Sequence, residues 1–370
     1  MILGWLLEMQ HPDNSKRKHE PIKGLDLIRP SCGAAALAEV MVASDGELGF
    51  DRNVQAAIVL GITTCMRLSH FLDTMTSLEA AVGPLPNSLI SSVMVVDDGS
   101  SDEDRAVMLS TFPGYTFIFK SSDQRGHAHS MNILVSEFLA YSSRAKRPCY
   151  FMYLEDDWRV LGTPVLHASL ARAMRGYDNR ADETDPAKHP FSRLLEMSKA
   201  ILSSGDSGSA GARDRVHQVL FNEQGSRTCA LGDLEACDTS IIGSGGWPQT
   251  KMVQLSTVNG STVDIPYSLH EFGMLTSSDR LSDGRVHEFS NWPGLSLNPG
   301  LWDLRTVYRA VASCRGSSHM FDTDDTLFEQ RFAVTGFAAG LTMAYLPALL
   351  FEHTGDVSAY SLNDRHRPWD

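Results

Sequence analysis

The stretch that most constrains this chain is Tyr150-Phe151-Met152-Tyr153-Leu154-Glu155-Asp156-Asp157-Trp158. An aromatic and apolar run enters three consecutive carboxylates and then a tryptophan. The run is short and dense in aromatics, so it reads as a buried strand. Carboxylates at the end of such a strand are costly unless a cation or hydrogen-bond donors meet them. In an open α/β sheet, the C-terminal strand ends are also where ligands bind. Two readings of the stretch follow. Either it delivers a divalent cation to a ligand, or Asp156 or Asp157 caps the next helix.

The flanking pattern favours a sheet of this kind. Residues 56–64 (AAIVLGITT) read as a buried strand, and Leu68 to Val82 as a helix with Phe71, Leu72, Met75, Leu78 and Val82 on its apolar side. Gly83-Pro84 and Pro86-Asn87 end that helix. Val93–Val96 is a second strand, followed by a helix from about Asp102 to Leu109. Tyr115–Lys120 is a third strand, Gln124–Tyr141 a helix, and Tyr150–Leu154 a fourth strand. This alternation predicts an α/β fold: an open, mainly parallel mixed sheet flanked by helices. Beyond Trp158 the pattern weakens. A helix is expected over Val165–Met174, a strand over Val216–Asn222, a strand and helix near Leu301–Cys314, a helix over Asp324–Phe337, and a last apolar segment over Thr342–Leu350. The polar, Ser- and Gly-rich region 178–215 reads as a flexible insertion.

Composition narrows the function classes. A net charge of −13 over 370 residues argues against a general nucleic-acid binder. No stretch approaches the ~20 apolar residues of a transmembrane helix, and Met1–Leu7 is too short for a signal h-region. The compartment stays open between the cytoplasm and the lumen of a secretory pathway. The six cysteines form no CxxC pair, which disfavours a zinc site. Cys229 and Cys237 flank a Gly-containing loop and are read either as a pair or as free thiols.

Three constellations carry chemistry. Val96-Asp97-Asp98-Gly99-Ser100-Ser101-Asp102 brings two acids to a strand end before a turn. Aspartates there accept hydrogen bonds from a base or ribose, or the segment is a turn with Ser100 or Ser101 as a cap. Arg125, His129 and Asn132 lie at i, i+4 and i+7, so on a helix they share a face that suits a phosphate or sugar, unless that face is merely solvated. Glu155-Asp156-Asp157 offers the oxygen ligands that Mg²⁺ or Mn²⁺ take together with phosphates and water.

Taken in order, Val95-Val96-Asp97-Asp98-Gly99-Ser100, then Arg125-Gly126 with Asn132, then Leu154-Glu155-Asp156-Asp157 resembles the nucleotide-sugar-binding half of GT-A fold glycosyltransferases, closest to the family 2-like inverting group. Glu-Asp-Asp stands where that family has its DXD motif. The resemblance covers about residues 56–160, and the remainder matches loosely. It implies a metal-dependent transfer from a nucleotide-diphospho-sugar, most simply a UDP-sugar, to a glycan, glycoprotein or glycolipid hydroxyl. Hexosyl and N-acetylhexosaminyl transfer are both open.

The resemblance also implies roles. Thr63, Arg67, Asp97, Asp98, Arg125, Asn132, Glu155, Asp156 and Arg367 would hold the nucleotide-sugar. Asp157 would be the principal ligand of a Mn²⁺ or Mg²⁺ ion, with His353 as a second. Asp324, Asp325 and Glu329 are candidates for the base, although the family's Glu-Asp-x-Asp pattern is absent. Trp247, Trp292 and Trp302 would form the acceptor floor. The implied organisation is an N-terminal extension (1–55), a donor half (56–160), an acceptor half (161–350) and a C-terminal tail (351–370) closing on the donor site. Two alternatives stand beside this: a nucleotidyltransferase of the same fold, disfavoured because Thr63-Thr64-Cys65-Met66-Arg67 lacks a glycine, and a non-catalytic carbohydrate-binding relative.

Overall fold

The computed structural model describes residues 56–145, 147–162, 165–166, 189–203, 215–221, 250–256, 262–269, 295–324, 328–346 and 350–355. Its first part follows the apolar pattern closely. β1 (Ala57–Thr64) is buried along its whole length. α1 (Leu68–Val82) buries Phe71, Thr74, Met75, Leu78, Ala81 and Val82, the i, i+3, i+4 stripe that a helix lays on a sheet. β2 (Ile90–Asp97) leads to α2 (Asp102–Thr111), where Ser101 accepts from the Asp104 amide and three acids fill the first turn. β3 (Thr116–Phe119), a 3₁₀ turn (Ser122–Gln124), α3 (His127–Arg144) and β4 (Cys149–Glu155) follow. α3 starts three residues later than its pattern suggested, because Gly126 takes φ 106° and breaks the turn. Arg125 is therefore extended and shares no helical face with His129 and Asn132.

The remaining described elements are β5 (Trp158–Val160), α4 (Pro190–Ser203), β6 (Gln218–Leu220), β7 (Thr250–Ser256), β8 (Thr262–Leu269), β9 (Gly300–Trp302), α5 (Leu304–Arg315), α6 (Phe328–Ala338), β10 (Met343–Tyr345) and β11 (Phe351–His353). Among the described residues nine strands form one sheet in the order β3-β2-β1-β4-β9-β6-β10-β8-β7. β3, β2, β1, β4, β6, β10 and β7 run one way, while β9 and β8 run against them. The sheet is thus mixed and mainly parallel, with helices on both faces. One face packs on α1 and α4 through Ile58, Leu60, Phe71, Met75, Phe191 and Ile201. The other packs on α3, α5 and α6 through Val59, Met131, Leu134, Phe151, Val307 and Phe332. Gly61 lies where β1 meets the Phe151 ring, and a Cβ there would overlap it.

Two expectations are corrected here. Residues 190–203, inside the expected flexible insertion, form a helix with Phe191, Leu194, Leu195, Ile201 and Leu202 buried. Its apolar stripe is helical in period but is hidden among polar neighbours. The helix expected from Asp324 begins at Phe328, and Asp324 is exposed ahead of it. The rest of 178–188 and 204–214, most of the helix expected at 165–174, and Cys229 and Cys237 lie outside the described residues.

Candidate functional site

Parallel strands end on one edge, and here that edge gathers the acids. Register places Thr64 opposite Asp97 and Thr63 opposite Glu155, so the ends of β1, β2 and β4 are level. Asp97 and Asp98 then lie beside Glu155-Asp156-Asp157 across the end of β1. This is the crevice position that open α/β sheets use for ligands.

At the β2 end each aspartate has its own cation. Arg105 Nε donates to Asp97 Oδ2 at 2.8 Å, and the guanidinium lies 4.9 Å over the Phe119 ring. Lys120 Nζ is 3.0 Å from Asp98 Oδ2, which also accepts from the Gly126 amide at 2.8 Å. The buried ammonium further donates to Gly126 O and Ser130 Oγ. Burial lowers the pKa of Lys120 and the charge of Asp98 opposes that. Asp97 Oδ1 is buried without a partner. Beside this pair is a pocket of about 230 Å³ lined by Asp98, Ser100, Arg105, Lys120, Ser122 and Arg125 among others.

After β4, among the described residues, one cation serves two aspartates. Met66 takes φ 53° and turns the chain, and Arg67, which precedes α1, sends its fork to both acids. Nη1 donates to Asp157 Oδ2 at 2.7 Å, and Nη2 donates to Asp156 Oδ1. Asp156 is saturated: Oδ2 accepts from Thr64 Oγ1 at 2.8 Å and the Cys65 amide at 3.2 Å, and its carbonyl accepts from Thr74 Oγ1. Burial pushes its carboxyl up to about 6 against the pull of Arg67.

Asp157 differs. The antiparallel pairing of β5 with β11 sets His353 opposite Trp158, and His353 Nε2 comes 3.4 Å from Asp157 Oδ2. Thr354 donates its amide to the Asp157 carbonyl at 2.8 Å. Gly355 abuts the same carboxylate so closely that a Cβ would clash with Oδ2. Burial acts to raise Asp157, but His353 and Arg67 outweigh it and hold the carboxyl well below its usual range. Asp157 Oδ1 is buried and has no partner.

These residues fit a divalent ion as a partial ligand set. An orphaned carboxylate oxygen lies next to an imidazole that reaches the same carboxylate. Among the described residues no group of three or more His, Cys, Asp or Glu side chains is placed to hold a metal. The remaining ligands would come from phosphate oxygens and water, as Mg²⁺ commonly takes them.

A second row lies on the α3 and α6 side of the same strand end. Thr63 Oγ1 and Tyr153 OH are 2.9 Å apart, and Tyr153 OH and His127 Nε2 2.7 Å. Burial drives His127 down to about 4, so it is neutral at pH 7. Its ring meets Phe328 edge-on at 5.4 Å. The next residue, Glu329, accepts from the Leu297 amide at 2.9 Å. Burial raises Glu329 to about 8, and the Glu155 charge adds to the effect. Burial, then Asp157, raise Glu155 to about 7.

Some expected site residues are engaged elsewhere. Asn132 is clasped to the Phe321 backbone, donating from Nδ2 to O at 2.8 Å and accepting from N at Oδ1 at 3.0 Å. Trp302 is fully buried and stacks on Phe332 at 5.6 Å, so it packs the core and presents no face to a sugar. Arg67 turns to the acidic turn, away from the pocket at the end of β2. Asp325, Arg367, Trp247 and Trp292 lie outside the described residues. Sequence reasoning missed Lys120, Arg105, His127 and Tyr153. Lys120 left a signal, since it ends an apolar strand level with two acidic strand ends.

No protein-family model matches the chain, and no curated protein matches it. Among solved structures the chain is similar to S. aureus TarS 1-349, with a TM-score of 0.38 and 10% identity over 80% of this chain and 60% of that one. The same protein in complex with UDP-GlcNAc gives 0.37 and 9%, covering 82% and 61%. The mannosyltransferase PcManGT from Pyrobaculum calidifontis, in complex with GDP-Man and Mn²⁺, gives 0.25 and 11%, covering 51% and 43%. The chain spans less than two thirds of the length of each.

Proposed function

We propose that this chain is a glycosyltransferase that moves a sugar from a nucleotide-diphospho-sugar to an acceptor hydroxyl. The observation that carries the reading is the buried, unpartnered Asp157 Oδ1 beside His353, on the strand edge that also holds the pocket at Asp98 and Arg125. In this reading the nucleoside occupies the β2 pocket lined by Asp98, Ser100 and Arg125, and Asp97 Oδ1, buried without a hydrogen-bond partner next to it, would accept from a base or ribose donor. The diphosphate lies toward Asp157 and His353, which would hold Mn²⁺ or Mg²⁺. A divalent ion bound there supplies the positive charge that a departing diphosphate requires.

Glu329 is the favoured base of the three candidates, because it is shielded and lies on the site side of α6, whereas Asp324 is exposed. Its carboxylate takes the acceptor proton as the acceptor oxygen attacks the anomeric carbon, and the bond from that carbon to the diphosphate breaks with inversion. Arg125 faces the donor. Arg367, Asp325, Trp247 and Trp292 keep their proposed donor, base and acceptor roles. The division into a donor half at 56–160 and an acceptor half at 161–350 belongs to the same proposal.

The nucleotidyltransferase alternative needs a glycine-rich basic loop just after β1, and Thr63-Thr64-Cys65-Met66-Arg67 has no glycine there. A thermal-shift panel of UDP, GDP and their sugar conjugates with Mn²⁺ tests the proposal, since binding raises apparent stability. A shift with at least one nucleotide-sugar, together with slow release of the nucleotide from it, is expected. No shift with any of them would overturn the reading.

A further inference from the structure

Asp157 cannot be read apart from the guanidinium that shares it. Arg67 engages Asp157 Oδ2 and Asp156 Oδ1 at once, and its side chain is only 12% exposed. Its backbone is fixed at the start of α1, where the Phe71 amide donates to Arg67 O at 3.1 Å. Around Asp157 Oδ2 the neighbours are Arg67, His353 and Gly355. Oδ1, on a side chain only 5% exposed, has no hydrogen-bond partner.

We propose that Arg67 is a built-in counter-cation that holds divalent-metal affinity low in the free protein and yields to the metal when a nucleotide diphosphate arrives. The inference rests on the reading of this site as one for a nucleotide diphosphate and a metal. A carboxylate already paired with a guanidinium is a poorer donor to a second cation, and the two positive charges repel. A diphosphate reverses both effects. It adds negative charge between them, and its oxygens suit the arginine fork as well as a carboxylate does. Metal and nucleotide therefore bind with positive coupling, and Arg67 sets its size.

The test measures Mn²⁺ affinity directly, by the EPR signal of free Mn²⁺, with and without UDP or GDP. In the wild-type protein Mn²⁺ alone binds weakly, and the nucleotide that binds tightens it by about tenfold or more. Arg67→Met removes the resident charge and tightens Mn²⁺ alone by about tenfold or more, while Arg67→Lys stays close to wild type. Mn²⁺ binding by Arg67→Met no tighter than wild type would overturn the inference. So would a wild-type affinity that is the same with and without nucleotide. If Arg67→Met does not fold, the wild-type coupling decides alone. If no nucleotide binds with Mn²⁺, the functional reading falls along with the inference. If nucleotide binds and only the Arg67 outcome fails, that reading stands.

Discussion

Two aspartate pairs close two strands of one sheet edge, Asp97-Asp98 at β2 and Asp156-Asp157 after β4. In each pair one aspartate, Asp97 and Asp157, keeps a buried oxygen without a hydrogen-bond partner, while Asp98 Oδ2 meets Lys120 and Gly126 and both oxygens of Asp156 are engaged. They differ in their cations. Asp97 has Arg105 and Asp98 has Lys120, so the first pair is balanced charge for charge. Asp156 and Asp157 share Arg67, and Glu155 adds a further acid beside them. A balanced pair suits a neutral polar ligand such as a base or ribose. An under-compensated one suits a further cation. The same dipeptide thus specifies different chemistry through its partners.

The largest expected effect concerns Glu329, a buried acid that feels the charge of Glu155 next to the second pair. Glu329→Gln should lower the transfer or donor-hydrolysis rate by roughly 10²–10⁴-fold with little change in nucleotide affinity. Because burial raises Glu329 to about 8, the wild-type rate should climb with pH through that value, and the variant should lose this limb. Stability has the opposite sign. Between the ordinary carboxyl range and about 8, the folded protein keeps a proton that the unfolded chain releases, so stability falls as pH rises through that window. Glu329→Gln should flatten the decline in melting temperature. A variant as pH-sensitive as wild type in both measurements would remove Glu329 from the account.

Next in size is the cost of breaking the balanced pair. Lys120→Met leaves Asp98 buried without its cation and should cost about 3–5 kcal/mol in urea unfolding. The same change at Arg105 strands Asp97, which is also buried, so its cost should be of the same order, about 3 kcal/mol. A cost near zero for either change would mean that the cation is not needed to hold its carboxylate. Binding separates the pairs more directly. Asp157→Ala should weaken Mn²⁺-supported nucleotide binding by roughly a hundredfold, or about 2.8 kcal/mol. Asp97→Asn should weaken it by about tenfold and leave the Mn²⁺ dependence intact. If Asp97→Asn abolished the metal dependence, the division of labour would be wrong. Smallest is Asn132→Ala, which breaks the clasp on Phe321 at about 1 kcal/mol without touching nucleotide affinity.

What the sequence made legible follows the same divide. β1, β2, β4 and α1 are continuous apolar runs or stripes, and their order alone placed the acids on one edge. The second half is built from β6, β9 and β10, each of three residues. Such strands are too short to show a period, and their place in the sheet comes from pairing. Pro266 lies within β8, where its missing amide argues against a strand, and the β7–β8 hairpin went unread. In the site, residue types were legible and partners were not. Arg67 looked like a pocket cation, and the turn at Met66 sends it to the acids. Asn132 looked like a donor ligand, but the strand-like fit of its amide to the Phe321 backbone is a tertiary contact across 189 residues. Trp302 carried only the general affinity of tryptophan for sugars, which its burial overrides.

The most direct measurement is calorimetric titration of UDP and of GDP into the protein, with Mn²⁺ and with a chelator, repeated on Asp157→Ala. The account predicts binding of at least one nucleotide with Mn²⁺, strongly weakened by the chelator and by the substitution. No binding of either nucleotide in the presence of Mn²⁺, or equal binding by Asp157→Ala, would contradict it.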